Sequence, residues 1–133
     1  MRFLKYILII AIQVLSFTSF AQQDQEQALP KGLVTAFQQG NSISLASFFS
    51  DRIELKIQDK EAIYSRSQAK QIMAKFFEKY KPKSLKKKHI GGKADSPYFI
   101  GTLFTNNGNF RTTFLLKGDG DKAIIHRLSI EVE

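Results

Sequence analysis

Cysteine is absent from all 133 residues, and disulfides, thiol nucleophiles, thiolate metal sites and dithiol redox chemistry are absent with it. Histidine is nearly as scarce: His89 and His126 are the only two, so a zinc site would have to be completed by carboxylates, and none is expected. No serine sits on a Gly-x-Ser-x-Gly elbow, which removes the usual signature of a hydrolase nucleophile. Internal repeats and low-complexity linkers are missing too, leaving one core to account for the chain. Acidic residues are outnumbered, 12 against 20 Lys and Arg, for a formal net charge of +8. That excess favours anionic partners (polymers, lipid headgroups, acidic ligands) without choosing among them.

The first residues read as a targeting segment. Arg2 and Lys5 precede an apolar stretch from Tyr6 to Phe20, and Ser19-Phe20-Ala21 offers small residues at the two positions a signal peptidase reads. The polar run Gln22-Gln23-Asp24-Gln25-Glu26 follows at once. A bilayer span needs about 20 apolar residues, and this stretch is shorter. Residues 1–21 are therefore expected to be a cleaved signal peptide, and residues 22–133 one exported domain, periplasmic or secreted. Loss of Arg2 and Lys5 lowers the charge from +8 to +6. With no cysteine to carry a lipid, the mature chain has no stable membrane anchor.

Periodicity outlines the domain. Residues 22–27 form a polar leader without apolar pattern. Leu29, Leu33, Ala36 and Phe37 fall at helical spacing after Pro30, and Gly40-Asn41 ends that helix. Ser42 to Phe49 reads as a second short helix capped by Asn41 or Ser42. Alternation from Arg52 to Gln58 puts Ile53, Leu55 and Ile57 on one face of a strand. Ser65-Arg66-Ser67-Gln68 is a capping box, opening a helix with a stripe of Ala69, Ile72, Met73, Phe76 and Tyr80 before Pro82. Strands are then expected over the Lys-rich 83–90, over 98–105, 110–117 and 123–132, with Asn106-Asn107-Gly108-Asn109 and Gly118-Asp119-Gly120-Asp121 as turns. The fold class is α+β: helices packed on a curved antiparallel sheet.

The segment from Phe37 to Leu55 carries a resemblance. Its Gly40-Asn41 helix end, apolar pairs Leu45-Ala46 and Phe48-Phe49, and Asp51 leading into Ile53 and Leu55 resemble the nuclear-transport-factor-2-like superfamily. The later capped helix and closing strands are similar to the same cone-shaped roll. Within it, the chain looks closest to an exported group, domain of unknown function 4783. The superfamily includes polyketide cyclases, ketosteroid isomerases and non-catalytic binding proteins, so the fold does not select an activity. By that resemblance the isomerase groups would fall near Leu33, Lys56 and Phe114, which cannot supply a tyrosine donor, a carboxylate base and a carboxylic acid.

Two constellations remain. On the last strand, strict alternation puts His126 on an apolar face with Ile124, Leu128, Ile130 and Val132. Phe110, Thr112 and Phe114 of the preceding strand, and Tyr98, Thr102 and Phe104 of the one before, would extend that surface into a pocket whose few polar groups are His126, Thr112, Thr102 and Tyr64. His126 is either a hydrogen-bonded structural histidine or a polar group of that pocket. The second constellation is the basic run Lys81 to His89. Lys83, Lys86, Lys87 and Lys88 would bind anions there, or would simply be solvated charges protecting a sheet edge. Leu103, Leu115 and Ile125 are expected to face outward and to allow a homodimer.

The function expected is therefore an exported, non-catalytic binding module, holding a small apolar ligand or peptide or docking an envelope protein. The alternatives are a small lyase or isomerase using His126 and adhesion to an anionic surface through the Lys81–Lys88 cluster. No cofactor and no specific nucleic acid partner are implied.

Overall fold

The computed structural model describes residues 29–133; the signal peptide expected over 1–21 and the leader over 22–27 lie outside the described residues. Two short helices come first, α1 (Leu33–Gln38) and α2 (Ser42–Ala46). Gly40, at φ +66°, makes the turn between them, and a Cβ there would stand 3.1 Å from the Pro82 ring. Asn41 caps α2 by accepting from the Ser44 N–H at 3.1 Å. Strands β1 (Phe49–Ile57) and β2 (Lys60–Ser65) follow as a hairpin. The capping box then forms as read: Ser65 Oγ accepts from Gln68 N–H while Gln68 Oε1 accepts from Ser65 N–H, starting α3 (Arg66–Lys79). Strands β3 (Pro82–Lys93), β4 (Ser96–Thr105), β5 (Gly108–Lys117) and β6 (Ile124–Val132) complete the chain, with a short 3₁₀ turn at Gly120–Lys122. Among the described residues, no helix is long and apolar enough to cross a membrane.

The six strands form one sheet in the order β2-β1-β6-β5-β4-β3. Neighbours are antiparallel except for β1 and β6, which run parallel, Leu55 beside Leu128 and Ile57 beside Ile130. The antiparallel sheet expected is thus present, with this one parallel pair within it. The parallel pair arises because the chain's last strand returns to the middle of the sheet rather than to its edge. The Lys-rich segment is indeed a strand, and it is an outer one.

Helices and sheet enclose an aromatic core. Phe114 lies edge-on to Phe37 at 5.2 Å and stacks with Phe99 at the same centroid distance, and Phe37 meets Phe77 at 5.4 Å. Phe110 is clamped between Phe76, at 5.3 Å, and Tyr80, at 4.7 Å. Such edge and offset contacts add to the burial itself. The inner face of β5 is thus packed against rings rather than hollow.

Register overturns two expectations about which side chains face inward. On β4 Phe99, Gly101, Leu103 and Thr105 turn inward, so Tyr98, Ile100, Thr102 and Phe104 lie on the outer face, where Thr102 is nonetheless buried. On β6, a bulge opposite Leu115/Leu116 inserts His126 as an extra residue: Leu116 pairs with Ile125 and Leu115 with Arg127. The bulge switches the phase, so Ile125 is buried together with Leu128 and Ile130 while Ile124 is exposed; Val132, in phase with Ile130, is exposed at the end of the strand. Leu103 and Ile125 are therefore core residues and supply no outward dimer surface.

Candidate functional site

An open groove of about 420 Å3 lies where α3 crosses the β1–β2 hairpin. Leu55 and Ile57 from β1 form its floor, Tyr64 from β2 and Ile72 and Phe76 from α3 form its walls, and Lys60, Lys75 and Lys79 stand around it. Its volume falls within the range of small-molecule sites. Helical geometry explains half of the lining: Ile72, Lys75, Phe76 and Lys79 are spaced i, i+3, i+4, i+7 and share one face of α3. Two more come from the alternation of β1, which turns Leu55 and Ile57 to the same side, and Lys60 and Tyr64 are added by β2. The hairpin turn is fixed by Gln58, the one non-glycine described residue with positive φ, +54°, whose N–H donates to Ile130 O at 2.8 Å. A smaller depression lined by Gln68 and Gln71 adjoins it, sharing Tyr64, Ile72 and Lys75.

Of the residues expected to line a pocket, only Tyr64 is found in this groove. Phe110, Thr112 and Phe114 are buried in the ring-packed core, and the Thr112 hydroxyl has no hydrogen-bond partner there. Thr102 and Phe104 lie on the other side of the sheet, in a depression shared with Lys86, Lys87, Lys88, Asn109 and Glu133. Tyr98 packs against His89, ring centroids 5.5 Å apart. Lys83 is exposed on β3, apart from the other three lysines. Lys88 forms an ion pair with Glu133, and this hydrogen bond, with a second from Thr102, holds the Glu133 carboxyl below the usual carboxylate range.

His126 does not meet Tyr64 or Thr112. It is half-buried at the β6 bulge, with a buried Nδ1 that has no hydrogen-bond partner. Burial lowers its pKa, Lys117 and Arg127 lower it further, and Glu54 opposes them. Glu54 is itself held by Arg127 at 2.9 Å. The positions compared with the isomerase groups carry no acid–base pair: Leu33 and Phe114 are fully buried, and Lys56 is paired with Glu131 at 2.5 Å. That bond raises the Lys56 pKa and lowers that of Glu131. No cluster of three or more metal-ligating side chains occurs among the described residues.

The groove lining was missed because the helix stripe was read only for its apolar members. Lys75 and Lys79 interleave with Ile72 and Phe76 on the same face, and that pairing was the available signal.

The family model for a domain of unknown function (DUF4783) matches residues 30–131. The fold is shared with crystal structures of DUF4783 family proteins from Bacteroides ovatus (34% identity, TM-score 0.75, covering 80% of this chain and 97% of that one) and Bacteroides uniformis (35% identity, TM-score 0.73, 78% and 96%). A protein described as a polyketide cyclase from Sinorhizobium meliloti, at 9% identity, TM-score 0.57 and coverage of 74% and 89%, shares the nuclear-transport-factor-2-like roll and no more. No curated protein matches the chain.

Proposed function

This chain belongs to the DUF4783 family, and from that premise we propose that it is an exported, non-catalytic module that binds a small, mainly apolar ligand in the groove between α3 and the β1–β2 hairpin. The observation that carries the proposal is the groove itself: five apolar or aromatic side chains, Leu55, Ile57, Tyr64, Ile72 and Phe76, converge on a cleft large enough for a small molecule. The non-catalytic part is supported by the positions near Leu33, Lys56 and Phe114, where two core hydrophobes and a paired lysine stand in place of acid–base groups. Export is supported by the n-region, apolar run and Ser19-Phe20-Ala21 sequence at the start of the chain.

The test is titration of the purified protein with the neutral fluorophore N-phenylnaphthylamine. Saturable enhancement is expected from the wild type and not from Ile72→Trp, whose indole would occupy the cleft. Equal enhancement by both proteins places the binding elsewhere and ends the proposal. Expression with the native leader should yield a chain beginning at Gln22; a retained Met1 ends the export reading.

A further inference from the structure

The groove carries a charge pattern that its apolar floor does not require. Its lining contains three lysines, Lys60, Lys75 and Lys79, and no carboxylate. Lys60 comes from the start of β2, and Lys75 and Lys79 are one turn apart on α3, so cations approach from both walls. Ion pairs among the described residues engage Lys56, Arg66, Lys88 and Arg127, and none engages the three groove lysines. Lys79 Nζ lies 5.3 Å from the Tyr80 ring centroid and also hydrogen-bonds the Tyr80 side chain, contacts that bring it no carboxylate. Three exposed like charges around one cleft make its rim electropositive, and an anion there is attracted by all of them.

We propose that the ligand of this groove is a single-chain anionic amphiphile. Its hydrocarbon lies on Leu55, Ile57, Ile72 and Phe76, and its carboxylate or phosphate head is held by Lys60, Lys75 and Lys79. This rests on the binding-module reading above and adds the chemical class of what is bound. The apolar floor supplies affinity through burial of methylene groups. The lysines supply selection for charge and speed of capture, since they sit at the edge of the cleft where a head group still meets water. The adjoining depression at Gln68 and Gln71 offers amide donors to the oxygens of such a head.

The experiment is displacement of N-phenylnaphthylamine at neutral pH and low salt. Dodecanoate, dodecyl phosphate and the uncharged dodecanol are compared as competitors. Dodecanoate and dodecyl phosphate are expected to displace the probe at roughly tenfold lower concentration than dodecanol. Shortening the acid by two carbons weakens it roughly tenfold, which reports that the chain is buried. In K60Q/K75Q/K79Q the acids lose their advantage over dodecanol, read as the ratio of the two displacement midpoints within that variant; a ratio equal to the wild type's overturns the role of the lysines. Equal displacement by dodecanol and dodecanoate overturns the anionic class and leaves the binding module standing. Absence of probe binding in the wild type fails the module reading, and this inference with it. A last arm uses vesicles containing phosphatidylglycerol: sedimentation with vesicles but no competition by dodecanoate makes a bilayer surface the partner and overturns the single-chain ligand.

Discussion

Arg127 Nη1 lies 2.9 Å from Glu54 Oε1, joining β6 to β1 at the register position where the two strands run parallel. The other nitrogen, Nη2, reaches Glu61 Oε1 of β2 at 3.2 Å, so one guanidinium ties three strands across the sheet. All three side chains remain about a third exposed or more, which limits their worth. Arg127→Met is expected to lower the unfolding free energy by about 1 kcal/mol or less in low salt. Urea unfolding at low and high ionic strength checks this: the difference between variant and wild type should shrink as salt screens the pair. A loss that is indifferent to salt would mean that packing of the Arg127 stem, not its charge, holds the strands.

Gly101 has an ordinary φ, yet its Cβ position is already taken. A methyl group there would meet Lys86 O of the neighbouring strand at 2.7 Å and the Phe99 ring at 2.8 Å. Phe99 in turn stacks on Phe114. Gly101→Ala must move the ring or the strand, at a cost of about 1–3 kcal/mol. Thermal unfolding followed by circular dichroism should show a fall of several degrees. An unchanged midpoint would show that the ring shifts freely and that the aromatic core is looser than its geometry implies.

Opposite Gly101 in the ladder stands Thr112, fully buried with an unpartnered hydroxyl. A buried polar group without a partner costs stability, and valine has nearly the same shape without that cost. Thr112→Val is expected to stabilise the protein by about 1 kcal/mol and raise its melting temperature by a few degrees. Thr112→Ser, which keeps the hydroxyl and removes the methyl, should destabilise it. Destabilisation by valine instead would show that the hydroxyl has a hydrogen-bond partner after all.

Much of the fold was legible because local chemistry and tertiary packing agree. The capping box at Ser65–Gln68, the cap at Asn41, the turn at Gly40 and the alternation of Ile53 and Leu55 each form as their residue types dictate. The errors fall where period alone decides. Phe99/Leu103 and Tyr98/Thr102 alternate equally well, and only pairing with β5 chooses which set turns inward. On β6 the bulge at His126 breaks the alternation, and no residue type announces it. The parallel placement of β6 beside β1 depends on long-range topology, which periodicity does not carry. The groove was half visible: Tyr64 was singled out, but Leu55, Ile72 and Phe76 read equally well as core, and the lysines between them as solvated charge.

That same bulge gives the histidine a measurable role in stability. Burial, with help from Lys117 and Arg127, depresses the His126 pKa below its ordinary value of 6.5, and Glu54 offsets this only in part. The folded state therefore resists the proton that the unfolded chain accepts. Stability from this group is present in full above the ordinary histidine range and is lost as pH falls through it. Unfolding free energy measured in urea should rise from about pH 5 to about pH 7.5, and His126→Gln should flatten that rise. Glu131 and Glu133, whose carboxyls are also held low, act with the same sign but only below the ordinary carboxylate value of 4.5, so the two windows separate. A wild-type profile that is flat between pH 5 and 7.5, or a variant that keeps the full slope, would show that the imidazole reaches water freely and that the bulge does not shield it.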